Sequence, residues 1–223
     1  DHNSASEADV QKLYGINKWA NDNQIDLVIH IHFNDYPGRK YNAVGKYSGF
    51  TIYFPERQLP NYRVSFEMAK TVFSQLDKYF SPSDNPVERG GLVEDQELIA
   101  IGSNASLDGG ALLIEFGYIY ESQFLGDITK DAIMRELAYQ TYYGIKKFFE
   151  PEAIPTEDSS LLPYSWNKDL YYGLKNNRDV LSLQAALVSE GVYSGPVTGN
   201  FFSVTREAVK AFQKKHNFIT ISD

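Results

Sequence analysis

Residues 27–35 read Leu-Val-Ile-His-Ile-His-Phe-Asn-Asp, and the fold turns on how this stretch is read. Aliphatic and β-branched residues dominate it, which predicts a buried strand over Leu27–Phe33. Strand side chains alternate between faces, so His30 and His32 share one face, two residues apart. Two imidazoles emerging together from a core strand are costly to bury unless something binds them. The following Asn34-Asp35-Tyr36-Pro37-Gly38 is turn chemistry, which puts both histidines near a strand-to-loop edge, where sites form. Two readings stay open here: metal ligands in His-x-His spacing, or hydrogen-bonded histidines with no metal.

Upstream, Ser6-Glu7-Ala8-Asp9 reads as a helix entry, with Val10, Leu13, Asn17 and Ala20 at helical spacing and Asn21-Asp22-Asn23 as the stop. A helix running into a buried strand is an α/β pattern. Downstream, Tyr36 to Gly49 reads as a loop and Phe50–Phe54 as a second strand closed by Pro55. Asn61 opens a helix that carries Val64, Met68, Val72, Leu76 and Phe80. Ser81–Gly91 is a Pro/Ser/Gly/Asp connector and Asp95–Ser103 a short helix. Ala111–Ile119 is a third strand, apolar except for Glu115 and glycine. Ile133, Leu137, Thr141, Ile145 and Phe148 mark a long helix ending near Glu150.

From Pro151 to Asp169 the chain carries three prolines with serine and acidic residues, the composition of a semi-rigid linker. Beyond it, Val180, Leu183 and Leu187 line one helix stopped by Gly191, and Ser203 to about His216 forms another with Ala208, Val209 and Phe212 inward. The expected fold class is α/β, a mixed sheet flanked by helices, followed by a small all-α domain. The expected domains are residues 1–150, a linker at 151–171, and a helical unit at 172–223.

Composition narrows the function. The formal charge of −8 argues against nucleic acid as a partner. With no cysteine, there is no disulfide and no thiolate ligand, so any metal must use histidine, carboxylates and water. No apolar run is long enough to span a membrane. The start, Asp1-His2-Asn3, lacks an initiator methionine and a signal-peptide pattern, which reads as a processed form or a fragment.

Glu115 is the second anchor. A carboxylate among Leu112, Leu113, Ile114 and Phe116 is expensive to bury unpaired. It is either a general base and acid beside a metal or a glutamate paired to Arg or Lys at the sheet rim. The remaining candidates carry weaker signals. His2 lies at a terminus, and His216 suits a helix C-terminus. Asn34 and Asp35 are turn formers able to hydrogen-bond a ligand. Tyr36, Tyr41 and Tyr47 suit sugar stacking or rim packing. Gly90-Gly91 and Gly109-Gly110 lack the strand–glycine–helix context of a phosphate loop.

Three segments carry a family resemblance. Ile29-His30-Ile31-His32-Phe33-Asn34 resembles the Ser-Ile-His-Ala-Asn strand of zinc-dependent N-acetylmuramoyl-L-alanine amidases of the amidase-3 type. Leu113-Ile114-Glu115-Phe116-Gly117-Tyr118 resembles that family's later Val-Glu-x-Gly-Phe strand, and Asp9 to Asn21 its preceding helix. Asp179-Val180-x-x-Leu183-Gln184-x-x-Leu187, Gly191-x-Tyr193-x-Gly195, Thr198-Gly199 and Thr205-x-x-Ala208-Val209-x-x-Phe212-Gln213 resemble the helical peptidoglycan-binding domain found beside many wall hydrolases.

The resemblance implies a cell-wall hydrolase that cuts the amide between the lactyl group of N-acetylmuramic acid and the L-alanine of the stem peptide. It implies zinc as cofactor, a zinc-bound water as nucleophile, His32 as a ligand, Glu115 as catalytic base and then acid, and Asn34 and Gly117 beside the substrate. It also implies peptidoglycan as partner, an extracytoplasmic location, and action as a monomer. The family's Gly-His-Gly ligand motif and its helix-borne glutamate ligand do not occur in this sequence, so the expectation is a fold lacking its first strand and helix. His30 stands where the family has serine, as a substitute ligand or as a partner behind the ligands. The alternative reading is a non-catalytic peptidoglycan-binding or scaffolding protein with a metal-free amidase-like domain.

Overall fold

A computed structural model of the chain describes residues 15, 17–95, 109–153 and 159–218. Four strands form one sheet: β1 (Leu27–Asn34), β2 (Thr51–Phe54), β3 (Leu92–Glu94) and β4 (Gly110–Tyr118). Their order is β1-β4-β2-β3. β1 runs parallel to β4, β4 antiparallel to β2, and β2 parallel to β3. The expected mixed sheet is therefore present. Two features escaped the sequence reading: the three-residue β3, too short to carry a period, and a single helical turn, α2 (Ser122–Leu125). The proposed helix entry at Ser6–Asp9 and most of Asp95–Ser103 lie outside the described residues.

β4 is the axis of the sheet. Apart from Glu115 every residue in it is buried, which is why it reads as an unbroken apolar run rather than an alternating one. On one face of the sheet lie α1 (Tyr62–Leu76) and α3 (Asp127–Phe149). Phe50, Ile52, Met68, Val72, Leu76, Leu112, Ile114, Ile133 and Leu137 form the core between these layers. Asn61 does stand before α1, yet its amide donates to the Gly109 carbonyl (3.1 Å) instead of capping the helix, tying the helix start to the start of β4.

α1 and α3 meet closely at Gly144. A Cβ there would lie 2.5 Å from the Val72 Cα, so the glycine is what lets the backbones approach. Gly144→Ala is expected to overpack this crossing and lower stability by about 1–3 kcal/mol, read as a lowered melting temperature. An unchanged melting temperature would show that the helices can part without cost.

β1 departs from expectation. It lies at the edge of the sheet among the described residues, and its side chains are half-buried or exposed; Ile31 is 67% exposed. An apolar β-branched run predicts a strand, but apolarity alone does not reveal whether both sides and both faces are covered.

The C-terminal residues form α4 (Arg178–Ser189) and α5 (Ser203–Lys215). Asn177 caps α4, its side-chain oxygen accepting from Val180 N (3.1 Å). Gln184, fully buried, explains its place in the sequence pattern. Its oxygen accepts from Thr198 N and Gly199 N, and its nitrogen donates to the Asn200 carbonyl and to Thr205 Oγ1. One side chain thus fastens the turn between the two helices.

This helical unit does not hang from a free tether. Leu181, Ala185 and Val197 belong to the same core as Ile133 and Leu137. Leu161, within the stretch read as a linker, is fully buried in that core. Ser160 donates to the Ala132 carbonyl and Glu136 Oε2, Ser182 donates to the Leu161 carbonyl, and Arg178 donates to the Ser160 carbonyl. One buried leucine, which the proline and serine content does not reveal, ties this stretch to the core.

Candidate active site

The parallel pairing of β1 with β4 sets His32 opposite Glu115 and His30 opposite Leu113. Antiparallel pairing of β2 with β4 sets Thr51 opposite Glu115 and Tyr53 opposite Leu113. Paired residues share a face, so His30, His32, Glu115, Thr51 and Tyr53 project from the same side of the sheet, opposite the helical core. His32 Nδ1 lies 3.8 Å from Glu115 Oε1, and the two imidazole rings stand edge to face with centroids 6.3 Å apart.

Burial pushes the Glu115 carboxyl up to about 7, with the negative charge of Glu88 adding to the effect. Burial also lowers the pKa of both histidines, and His30 is lowered further by His32. These shifts disfavour charge on both partners, so the 3.8 Å approach is not an ion pair at neutral pH. The sheet-rim reading requires a basic partner, and among the described residues no arginine or lysine pairs with Glu115. Instead Glu115 Oε2 and His30 Nε2 are buried without a hydrogen-bond partner. Natural proteins rarely leave such atoms idle.

Those orphaned atoms bear on zinc, which the family resemblance implies. Neutral imidazole nitrogens and a carboxylate are the right donor types. Their number is not right: among the described residues no group of three or more His, Cys, Asp or Glu comes together to hold a metal ion. The described residues therefore do not form a complete zinc site.

Sequence reading missed Glu88, which sits in the Ser81–Gly91 connector, where nothing in the pattern distinguishes it from a solvated charge. It is 4% exposed. Its Oε1 accepts from Asn34 Nδ2 (3.0 Å) and Tyr53 OH (3.1 Å). Its Oε2 accepts from Ser83 Oγ (2.7 Å), Tyr118 OH (3.0 Å) and Thr51 Oγ1 (3.2 Å). Five donors on one carboxylate offset the cost of burying it.

Two residues expected beside the substrate have structural duties. The Asn34 amide is committed to Glu88. Gly117 is buried at φ +141°, a conformation that side chains resist, and a Cβ there would meet Glu121 Oε1 at 2.8 Å. Asp35 holds Arg39 through both carboxylate oxygens (2.6 and 3.0 Å). In the loop that follows β1, Tyr36 and Tyr47 pack edge to face, and Tyr41 projects 91% exposed. His216 pairs with Glu190 Oε2 (3.0 Å), far along the chain from the histidine strand. Gly109 serves close packing rather than a phosphate, since a Cβ there would lie 2.2 Å from the Ile25 carbonyl oxygen. His2 lies outside the described residues. No described helix is long and apolar enough to cross a membrane.

Residues 4–147 match the amidase-3 type family described as N-acetylmuramoyl-L-alanine amidase, and residues 176–219 match a peptidoglycan binding domain. Among solved structures, the N-acetylmuramyl-L-alanine amidase Ami1 from Mycobacterium smegmatis is 17% identical, with a TM-score of 0.49 over 63% of this chain and 61% of that one. The CwlD amidase from Clostridioides difficile, solved with the GerS lipoprotein, is 15% identical, with a TM-score of 0.43 over 67% of this chain and 68% of that one. The chain thus spans about three fifths of the length of the Mycobacterium smegmatis structure. No curated protein matches it. With residues 4–147 covered by that family, the chain belongs to the amidase-3 type N-acetylmuramoyl-L-alanine amidases.

Proposed function

We propose that the protein is a cell-wall hydrolase that cleaves the amide between the lactyl group of N-acetylmuramic acid and the L-alanine of peptidoglycan. The observation that carries this reading is Glu115: a half-buried carboxylate with no basic partner among the described residues, one buried oxygen without a hydrogen bond, set beside His32 on the neighbouring strand. A carboxyl held near pH 7 both accepts and returns a proton at neutral pH. Glu115 takes a proton from the attacking water as oxygen adds to the carbonyl carbon. It then hands that proton to the alanine nitrogen as the carbon–nitrogen bond breaks.

Zinc, when bound, would supply a Lewis acid for the scissile carbonyl and the water. His32 is the described residue proposed to hold it, and the orphaned Nε2 makes His30 the second. The rest of the ligand set must come from outside the described residues. We place the hydrolase in residues 1–150, joined through 151–171 to a peptidoglycan-binding unit in 172–223, working outside the cytoplasm as a monomer.

The donor set, incomplete among the described residues, favours a second reading, a metal-free wall-binding or scaffolding protein. Elemental analysis after zinc loading and dialysis, together with assay of stem-peptide release from purified peptidoglycan, separates the two. About one zinc per chain with released peptides supports the hydrolase. Binding to peptidoglycan with neither zinc nor release supports the scaffold.

A further inference from the structure

The pairing of β1 with β4 is regular from Leu27↔Gly110 to His32↔Glu115 and then slips, so that the next pair is Asn34↔Tyr118. Two steps along β1 match three along β4. The extra residue falls at Phe116–Gly117, where Gly117 takes up φ +141°. Bulges of this kind bend a strand and re-aim its neighbours, and they gather beside active sites. Here the bulge follows directly on the pair that forms the site.

Asn34 and Tyr118, the first pair beyond the slip, are both held by Glu88, one on each carboxylate oxygen. Ile119 N donates to the Asn34 carbonyl (2.9 Å), closing the same corner through the backbone. Tyr118 N and Gly49 N both donate to Glu121 Oε1 (2.7 and 3.0 Å), so the outer side of the bulge is pinned as well. Glu88 also takes Thr51 and Tyr53 from β2. One buried carboxylate therefore ties three strands together over the bulge.

We infer that Glu88 is a positioning residue for hydrolysis: by holding Asn34 and Tyr118 across the bulge, it fixes His32 and Glu115 in register with each other. This rests on the amidase reading for its catalytic consequence, but the lock itself is a property of the sheet. A carboxylate is needed because all five groups that reach it can donate a hydrogen bond, and the Asn34 nitrogen can do nothing else. In Glu88→Gln one oxygen becomes an NH2 facing those donors. The hydroxyls can turn to accept, at the expense of the geometry they now hold.

The test measures hydrolysis of soluble muropeptide fragments and amide hydrogen exchange on the same full-length proteins. Glu88→Gln is expected to lower kcat by about 100-fold, the loss that follows displacement of reacting groups by about 1 Å, with KM little changed. Tyr118→Phe is expected to reproduce part of that loss, and the double variant to be no worse than Glu88→Gln alone, because both act on one lock. Arg135→Ala, which removes only an exposed pair with Asp131 on α3, should keep wild-type kcat. Exchange at Tyr118 and Ile119 should quicken in Glu88→Gln, while α1 and α3 keep their protection.

Unchanged exchange around the bulge, or losses that multiply in the double variant, would overturn the inference. A wild-type protein with no turnover but quickened exchange in Glu88→Gln would retire the amidase reading and leave the lock standing. Active Glu115→Gln beside impaired Glu88→Gln would remove the assigned base without touching Glu88.

Discussion

Glu115→Gln should abolish turnover and, in protein stripped of metal, make the fold more stable above pH 7. The first effect follows from its role. Glutamine keeps the shape but neither accepts nor returns a proton, and general acid–base catalysis contributes about 10²–10⁴-fold. The second follows from burial. In the unfolded chain the carboxyl ionises around its ordinary value of 4.5, whereas in the fold it holds its proton to about 7. Between those values the native state binds more protons than the unfolded one, so stability falls as pH rises from 4.5 through 7 and is level above it. The ceiling on that penalty is about 3.5 kcal/mol, the free-energy equivalent of moving a carboxyl from 4.5 to about 7. Glutamine removes the charge but leaves a buried amide to satisfy, so the expected gain at pH 8 is about 1–3 kcal/mol, with none at pH 4. Urea unfolding at the two pH values measures it. A rim glutamate held by a salt bridge predicts the reverse, loss of stability with activity kept.

The two effects together separate a working residue from a structural one. Proteins tolerate a buried, underpaired carboxylate where chemistry requires it, and such groups gather at functional sites. Glu115 was legible in the sequence for that reason: one acidic residue in Ala111–Ile119 breaks an otherwise apolar strand. His30 and His32 were legible from the same alternation, and the register of β1 on β4 delivers them to the same face as Glu115. Edge or centre was not legible for β1, because strand propensity reports a pleated surface and says nothing of what covers it. Glu88 was invisible for a different reason. Its environment is made by Asn34, Thr51, Tyr53, Ser83 and Tyr118, which come from four separate segments, and no local period or motif joins them. The bulge at Gly117 carried only the faint signal of a glycine inside a strand.

The union of the two structural units is the other point at which composition misleads, and it yields the second large expected effect. Leu181, on α4, is fully buried and packs in the core that also holds Ile133 and Leu137 of α3. Val197 N donates to the Tyr79 carbonyl (3.2 Å), and Asn200 Nδ2 to Ser122 Oγ (3.0 Å), so the turn between α4 and α5 is fastened to the sheet-bearing unit as well. Leu181→Ala should cost about 2–5 kcal/mol, the range for a buried leucine that leaves a cavity. At about 2–4 °C per kcal/mol for a chain of this size, the melting temperature should fall by roughly 4–20 °C. The loss should appear as one transition, with turnover of soluble fragments and peptidoglycan binding failing at the same lowered temperature. If the helical unit were only tethered, calorimetry would resolve two transitions, and only the one reported by peptidoglycan binding would move. A shared core changes what the wall-binding unit can contribute. A flexible tether raises local substrate concentration over whatever the linker can reach, whereas a docked unit presents the cleavage site at a fixed distance and angle from the bound wall. Single-transition melting would therefore mean that the choice of bond along the wall is set by the seating of α4 on α3, and Leu181→Ala should shift the pattern of released fragments at temperatures where both units remain folded.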